Sequence, residues 1–238
     1  MKSRYMLLAI VTLHLCAITS ATSAPGDENW WDGFAHQGIN GNVHALAVYN
    51  GELIAAGAFT RAGETAARNI ARWDGSRWHA LGAGLDFQVE DLAVYQGELV
   101  AGGYWPYSVD SKIARWDGVS WKPLGSGLRC DSTYCSDVEV RAMAVFNGEL
   151  IVGGMFSEAG GVPVPGSIAR WDGVSWMPLS ADPPGYWVDA LGVYDSTLVA
   201  GYCCVCDVYH CHTLVSLWDG QSWRNIGEVS DGVNCTTL

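Results

Sequence analysis

Apolar and polar residues follow one another along the chain in a way that predicts short β-strands joined by tight turns. In residues 140–155, two apolar runs flank Asn147-Gly148, which tolerates the positive φ needed at both central positions of a type I′ turn. A second pair of runs flanks Asp172-Gly173, where Trp171 and Trp176 are spaced to face each other across the strands. This stretch predicts two consecutive hairpins that form one four-stranded antiparallel sheet, which we call a blade.

The same unit occurs four times, and this repetition predicts the architecture. Each unit has a corresponding apolar residue in its first strand: Leu46, Leu92, Met143 and Leu191. Each also has a Trp pair around its second turn: Trp73 and Trp78, Trp116 and Trp121, Trp171 and Trp176, Trp218 and Trp223. The predicted blades are residues 43–82, 89–125, 138–180 and 187–227. Residues 29–37 and 232–238 match only part of a blade, so we expect an open ring or a piece of a longer one.

The second strands are almost continuously apolar, which is typical of strands covered on both faces. Glycine within such strands indicates close approach of a neighbouring backbone or side chain. The glycines expected to have this role are Gly57, Gly102, Gly103, Gly153, Gly154 and Gly201. Stacking of four-stranded blades around an axis explains both features, so the sequence predicts an all-β fold, a β-propeller with four full blades and partial terminal strands.

The units also resemble a known family. An apolar strand, a double glycine, a variable loop, an aromatic-Asp-Gly turn and a Trp after a short gap resemble the kelch-type repeat over residues 43–227. Gly102-Gly103 and Gly153-Gly154 match its double glycine, whereas Ala56-Gly57 and Gly201-Tyr202 depart from it. The resemblance implies a propeller. It also extends to copper-dependent galactose oxidases, but their tyrosine and histidine ligands have no counterpart that can be matched here, so we expect no cofactor.

The N-terminus indicates export. Lys2 and Arg4 precede an apolar run over residues 6–17 that is too short to span a bilayer, and small residues follow. We interpret residues 1–24 as a signal peptide, residues 25–238 as the propeller, and the location as secreted, periplasmic or cell-surface. No later stretch is apolar enough to span a membrane. The net charge of −12 argues against a nucleic-acid partner, because phosphates require Lys and Arg.

Cysteines are grouped in two predicted loops. In an exported protein disulfides are the default, and the candidates are Cys130, Cys135, Cys203, Cys204, Cys206 and Cys211. Cys130–Cys135 is the first expected pair, and the connectivity of the other four is not readable from the sequence. As an alternative, Cys203, Cys204, Cys206, His210, Cys211 and His212 offer enough ligands for zinc, although their spacing matches no closed structural site. Cys235 has no obvious partner, and Asn234 begins an Asn-x-Thr sequon.

No catalytic motif is present, so no catalytic residue is assigned. Several acids lie near the long loops, and we interpret them as solvated surface groups rather than paired carboxylates or calcium ligands: Asp86, Glu90, Asp91, Asp131, Asp137 and Asp189. The leading expectation is a non-catalytic exported scaffold that binds an unknown protein or glycan through its long-loop face. The alternatives are a secreted enzyme with a site at the propeller axis, or a structural segment of a larger cell-surface protein. Convergence of His, Asp, Glu or Tyr side chains at the mouth of the axis would favour the enzyme.

Overall fold

The structure is a computed structural model that describes residues 38–106, 112–130, 137–183, 185–206 and 211–229. The predicted signal peptide (residues 1–24), both partial terminal strands (29–37 and 232–238), Asn234 and Cys235 lie outside the described residues. Within the described part, no helix is long and apolar enough to cross a membrane.

The described residues form 21 strands, and the helical structure among them is one 3₁₀ turn at Pro165–Ser167. In chain order the strands are β1 (Asn42–Tyr49), β2 (Glu52–Ala58), β3 (Arg61–Ala62), β4 (Thr65–Ala66), β5 (Ile70–Trp73), β6 (Trp78–Ala80), β7 (Gln88–Tyr95), β8 (Glu98–Tyr104), β9 (Ile113–Trp116), β10 (Trp121–Pro123), β11 (Leu128–Arg129), β12 (Glu139–Phe146), β13 (Glu149–Met155), β14 (Glu158–Ala159), β15 (Val162–Pro163), β16 (Ile168–Trp171), β17 (Trp176–Pro178), β18 (Trp187–Tyr194), β19 (Thr197–Cys206), β20 (Cys211–Trp218) and β21 (Trp223–Val229).

Four antiparallel blades account for most of these strands. Their strand orders are β1-β2-β5-β6, β7-β8-β9-β10, β12-β13-β16-β17 and β18-β19-β20-β21. The prediction of an all-β propeller of four-stranded antiparallel blades is confirmed. The structure differs from four separate sheets at one place. Tyr104 of blade 2 pairs with Glu139 of blade 3, and this single residue pair joins the two blades into one eight-stranded sheet.

Two of the long loops are ordered hairpins. In blade 3 the loop forms β14 and β15, and β14 pairs with β11 in the connection that leads into the blade. In blade 1 the loop forms β3 and β4, and Ala62 pairs with Ile39 in the corresponding connection. Both hairpins therefore lie on the long-loop face, opposite the Asn-Gly turns, and each is paired to the connection that precedes its blade.

The blades pack through their first and second strands. The first strands of successive blades, β1, β7, β12 and β18, lie next to one another. A Cβ added at Gly102 would overlap Val140 of the next blade, and one at Gly153 would overlap Val188. Both glycines thus provide room for a neighbour's side chain.

The first strand of blade 1 packs against the first strand of blade 2, but no other first strand lies on its opposite side among the described residues. Leu46 is 65% exposed, whereas the equivalent Leu92 and Met143 are 9% and 7% exposed. In addition, β18 of the last described blade does not pack closely against β1 of the first. The described blades therefore form an open arc.

The Trp pairs lie across the second hairpin of each blade, with ring centroids 5.1–5.4 Å apart. Trp176 donates an indole hydrogen bond of 3.1 Å to the carbonyl of Leu124 in the preceding connection. The indole nitrogen of Trp121 likewise donates a hydrogen bond of 3.2 Å to the carbonyl of Leu81. These two bonds join the fourth strands of blades 2 and 3 to the exit of the blade before each of them.

The cysteine-rich segment differs from the expectation of a loop insertion. Cys203, Cys204 and Cys206 lie in β19, and Cys211 and His212 lie in β20. The ladder continues through this segment, with Cys203 paired to Thr213, and its β-branched residues, Val205 and Thr213 among them, favour strands. Cys206 and Cys211 are register partners at the end of the hairpin, while His210 lies outside the described residues.

Candidate functional site

Each first strand contains a β-bulge at the same position of the repeat. The ladder register shifts between Val43 and Ala45 of blade 1, and the other three blades have the same irregularity. The bulged residues are His44, Glu90, Arg141 and Asp189. A bulge redirects the side chain of the extra residue and is common beside functional sites. All four lie near the strand starts, at the long-loop end of the axis, and we call this set the axial ring.

Blades 1 and 2 meet in the axial ring through a histidine–carboxylate pair. His44 Nδ1 lies 3.0 Å from Glu90 Oε2, and each side chain is 23% exposed. Gln88 Nε2 donates a 2.6 Å hydrogen bond to the other oxygen, Oε1. Both oxygens of Glu90 are therefore held in place.

Blades 3 and 4 meet through an arginine with two carboxylates. The guanidinium of Arg141 bonds Asp189 Oδ1 and lies 2.9 Å from Glu139 Oε2. Asp189 is 12% exposed, and its Oδ2 has no hydrogen-bond partner among the described residues. Burial raises the pKa of Asp189 above its usual value, and the charge of Arg141 opposes this effect only in part. A carboxyl group with a raised pKa can retain a proton for transfer.

Blades 2 and 3 are joined beside the axial ring by Asp91. Its Oδ2 accepts a 2.6 Å hydrogen bond from Met143 N of the next blade, and its Oδ1 accepts a 2.7 Å bond from Leu92 N. Burial raises the pKa of Asp91 to about 6 despite both bonds. Alanine occupies the equivalent position in the other three blades, at residues 45, 142 and 190. Asp91 is therefore specific to this junction.

The mouth of the axis is rich in carboxyl groups. The carboxyls are those of Glu90, Asp91, Glu139 and Asp189, and they face one guanidinium, that of Arg141, and the imidazole ring of His44. The site therefore contains several carboxyl groups that can donate or accept protons. No group of three metal-ligating side chains with the geometry for an ion occurs in the part of the chain that the structure describes.

The acids that the sequence suggested divide into two groups. Glu90, Asp91 and Asp189 belong to or adjoin the axial ring, so their interpretation as solvated surface groups is wrong. The reason is that they start first strands, whose N-terminal ends meet at the axis. Asp86 is exposed on the connection before β7, Asp137 is half-buried on the connection before β12, and Asp131 lies outside the described residues.

The zinc alternative for the cysteines and histidines of the last blade stays a prediction, because His210 lies outside the described residues. Cys130 packs at the edge of a core cluster around blades 2 and 3. Its pairing with Cys135, which lies outside the described residues, stays a prediction, as do the bridges of the last blade. Sequence reasoning missed His44 and Arg141. The signal was available, because a charged residue or a histidine occupies the same repeat position near the start of all four first strands.

The topology and the axial ring define the class: an all-β propeller with a polar, carboxyl-rich site at one mouth of its axis. No protein-family model matches the chain, and no curated protein matches it. Among solved structures, the chain is similar to an α-L-arabinofuranosidase from Clostridium thermocellum ATCC 27405. The TM-score is 0.43 at 13% identity, covering 88% of this chain and 76% of that chain.

The expectation of a non-catalytic scaffold that binds a protein or glycan requires correction. One solved structure to which the chain is similar is that of an enzyme, an α-L-arabinofuranosidase. That expectation also depended on treating the acids near the loops as solvated, and three of them are held at the axis instead.

Proposed function

We propose that the protein is an enzyme that hydrolyses a glycosidic bond at the axial ring. The observation that carries the proposal is the convergence of His44 with Glu90, and of Arg141 with Asp189, from one bulge position in four blades. Two carboxyl groups in unequal environments are the machinery of glycoside hydrolysis, in which one protonates the leaving oxygen and the other acts on the opposite side.

The environments support a division of roles. Asp189 has a raised pKa and a buried oxygen without a hydrogen-bond partner among the described residues, so it is the general acid. Glu90 is fixed by Gln88 and His44, and it is the base that takes a proton from water. Water supplies the hydroxyl to the sugar carbon, and Asp189 supplies the proton to the leaving oxygen. The remaining carboxylates stabilise the positive charge that develops on the sugar ring.

Initial rates on a panel of 4-nitrophenyl glycosides test the proposal. The name of the similar enzyme supplies the first substrate, the α-L-arabinofuranoside, and the β-D-xyloside, β-D-glucoside and β-D-galactoside complete the panel. Asp189→Asn and Glu90→Gln should each lower kcat/KM by about 100-fold or more, which is typical for loss of a general acid or base. In the wild type, kcat/KM should fall as the pH rises through the pKa of Asp189.

A matched control is available in blade 3. Glu149 also pairs with an arginine, Arg170, at 3.0 Å, but it lies on a second strand rather than in the axial ring. Glu149→Gln should therefore leave kcat/KM within about twofold of the wild type. Equal activity in all three variants, or no hydrolysis of any of the four glycosides by the wild type, would refute the proposal.

We propose further that the repeats are of the kelch type and that the protein is exported. The double glycines, of which Gly102 and Gly153 accommodate a neighbouring valine, support the first part. The basic start and short apolar run of residues 1–24 support the second. Mass spectrometry of protein recovered outside the cytoplasm tests the export, because the N-terminus should lie near residues 22–25.

A further inference from the structure

A cleft lies between blades 1 and 2 on the long-loop face, beside the axial ring. Its volume is about 280 Å³. Its lining residues come from the connection before β1, the end of β2 and the loop after it, the start of β7, and the residue that follows β8. They are Asn40, Ala58, Phe59, Thr60, Asn69, Gln88 and Trp105. None of the described residues that line this cleft has a charged side chain.

Hydrogen bonds hold the walls of the cleft in one arrangement. Asn40 Oδ1 accepts from the backbone N–H groups of Thr60 and Arg61, at 3.0 and 2.8 Å. Asn69 adopts a positive φ of 63°, and its amide nitrogen donates to the carbonyls of Leu85 and Phe87. The cleft is therefore preformed, and a ligand would not have to order it.

The chemistry of the lining indicates the kind of ligand. Trp105 is 49% exposed, whereas most Trp residues of the second hairpins are buried. It places an aromatic surface beside amide and hydroxyl groups, and none of these groups carries a charge. A sugar ring has one apolar C–H face and a rim of hydroxyls, and it matches both kinds of surface.

Gln88 connects the cleft to the axial ring. Its side chain lines the cleft, and its Nε2 donates at 2.6 Å to Glu90, which in turn pairs with His44. A single extended ligand can therefore occupy both places. We infer that this cleft is a subsite that binds a neutral sugar unit of the substrate, with Trp105 as its stacking surface. This inference rests on the proposed function, because it places a second sugar unit of the substrate cleaved at the axial ring in this cleft.

Binding of trisaccharides, measured separately from hydrolysis, tests the subsite. Arabinotriose, xylotriose and cellotriose are titrated calorimetrically into the Glu90→Gln protein, which should bind without cleaving. Adding Trp105→Ala should weaken the binding of the preferred trisaccharide by about tenfold or more. Trp105→Phe should give a smaller loss, because it keeps an aromatic ring at this position.

Tyr194→Ala is the matched control, because it removes an aromatic residue that is 76% exposed at the opposite, tight-turn end of a first strand. It should leave binding unchanged, and unfolding midpoints show whether each variant is folded. Unchanged binding in folded Trp105→Ala, or no binding of any of the three trisaccharides, would overturn the subsite. The proposed function is decided separately: hydrolysis of the 4-nitrophenyl glycosides that is lost in Glu90→Gln stands even if Trp105 proves irrelevant.

Discussion

The buried carboxyl group of Asp91 should make the stability of the protein depend on pH. It accepts hydrogen bonds from Leu92 N and Met143 N across the junction of blades 2 and 3, and burial raises its pKa to about 6 from a usual value of 3.8. The perturbation that isolates its titration is Asp91→Asn, which keeps the size of the side chain and removes the ionisable group.

The sign and size of the effect follow from the linkage between protonation and folding. Below about pH 4 both the folded and the unfolded chain bind the proton, so the contribution of Asp91 to stability is complete. Between pH 4 and 6 the unfolded chain releases the proton while the folded chain still holds it, and the free energy of unfolding falls. A pKa raised by roughly two units corresponds to about 3 kcal/mol.

Urea unfolding followed by Trp fluorescence at pH 4, 5, 6 and 7 measures this effect in both proteins. The free energy of unfolding of the wild type minus that of Asp91→Asn should fall by about 2–3 kcal/mol from pH 4 to pH 7, and it should change little above pH 7. A difference that stays constant with pH, or that rises, would show that Asp91 ionises normally in the folded protein.

Two further predictions concern the packing between blades. Trp176→Phe should destabilise the protein by about 1–2 kcal/mol more than Trp78→Phe. The reason is that Trp176 Nε1 donates a hydrogen bond to the carbonyl of Leu124, whereas the buried Trp78 Nε1 has no partner among the described residues. Equal losses of stability in urea unfolding would contradict the role of that bond. Gly153→Ala should cost about 1–3 kcal/mol, because its Cβ would overlap Val188 of the next blade. Gly192→Ala is the control, since no atom lies within 4 Å of the added Cβ, and a similar loss at both positions would refute the explanation by overlap.

The sequence was sufficient to predict the blades because their determinants are local. Asn147 has the positive φ that the sequence predicted for its turn, and Asn50, Gln96 and Asp195 have positive φ at the equivalent position of the other blades. The Asp of each Trp-Asp-Gly turn likewise accepts backbone hydrogen bonds within the turn, as Asp172 does from Val174 and Ser175.

The site was harder to predict because it depends on contacts between distant residues. His44 and Glu90 are 46 positions apart, and Arg141 and Asp189 are 48 apart, so only the stacking of blades brings them together. The bulge that redirects these side chains leaves no motif in a single unit. It can be recognised only by comparing the same position in all four repeats, where three charged residues and a histidine interrupt apolar strands.

A crystal structure of the Glu90→Gln protein with an uncleaved trisaccharide tests the central claim most directly. The preferred sugar among arabinotriose, xylotriose and cellotriose would be soaked into the crystals. The account predicts a glycosidic oxygen within hydrogen-bond distance of Asp189 at the mouth of the axis, and a neighbouring sugar ring against Trp105. A trisaccharide bound elsewhere on the propeller, with the axial ring filled by water alone, would contradict it.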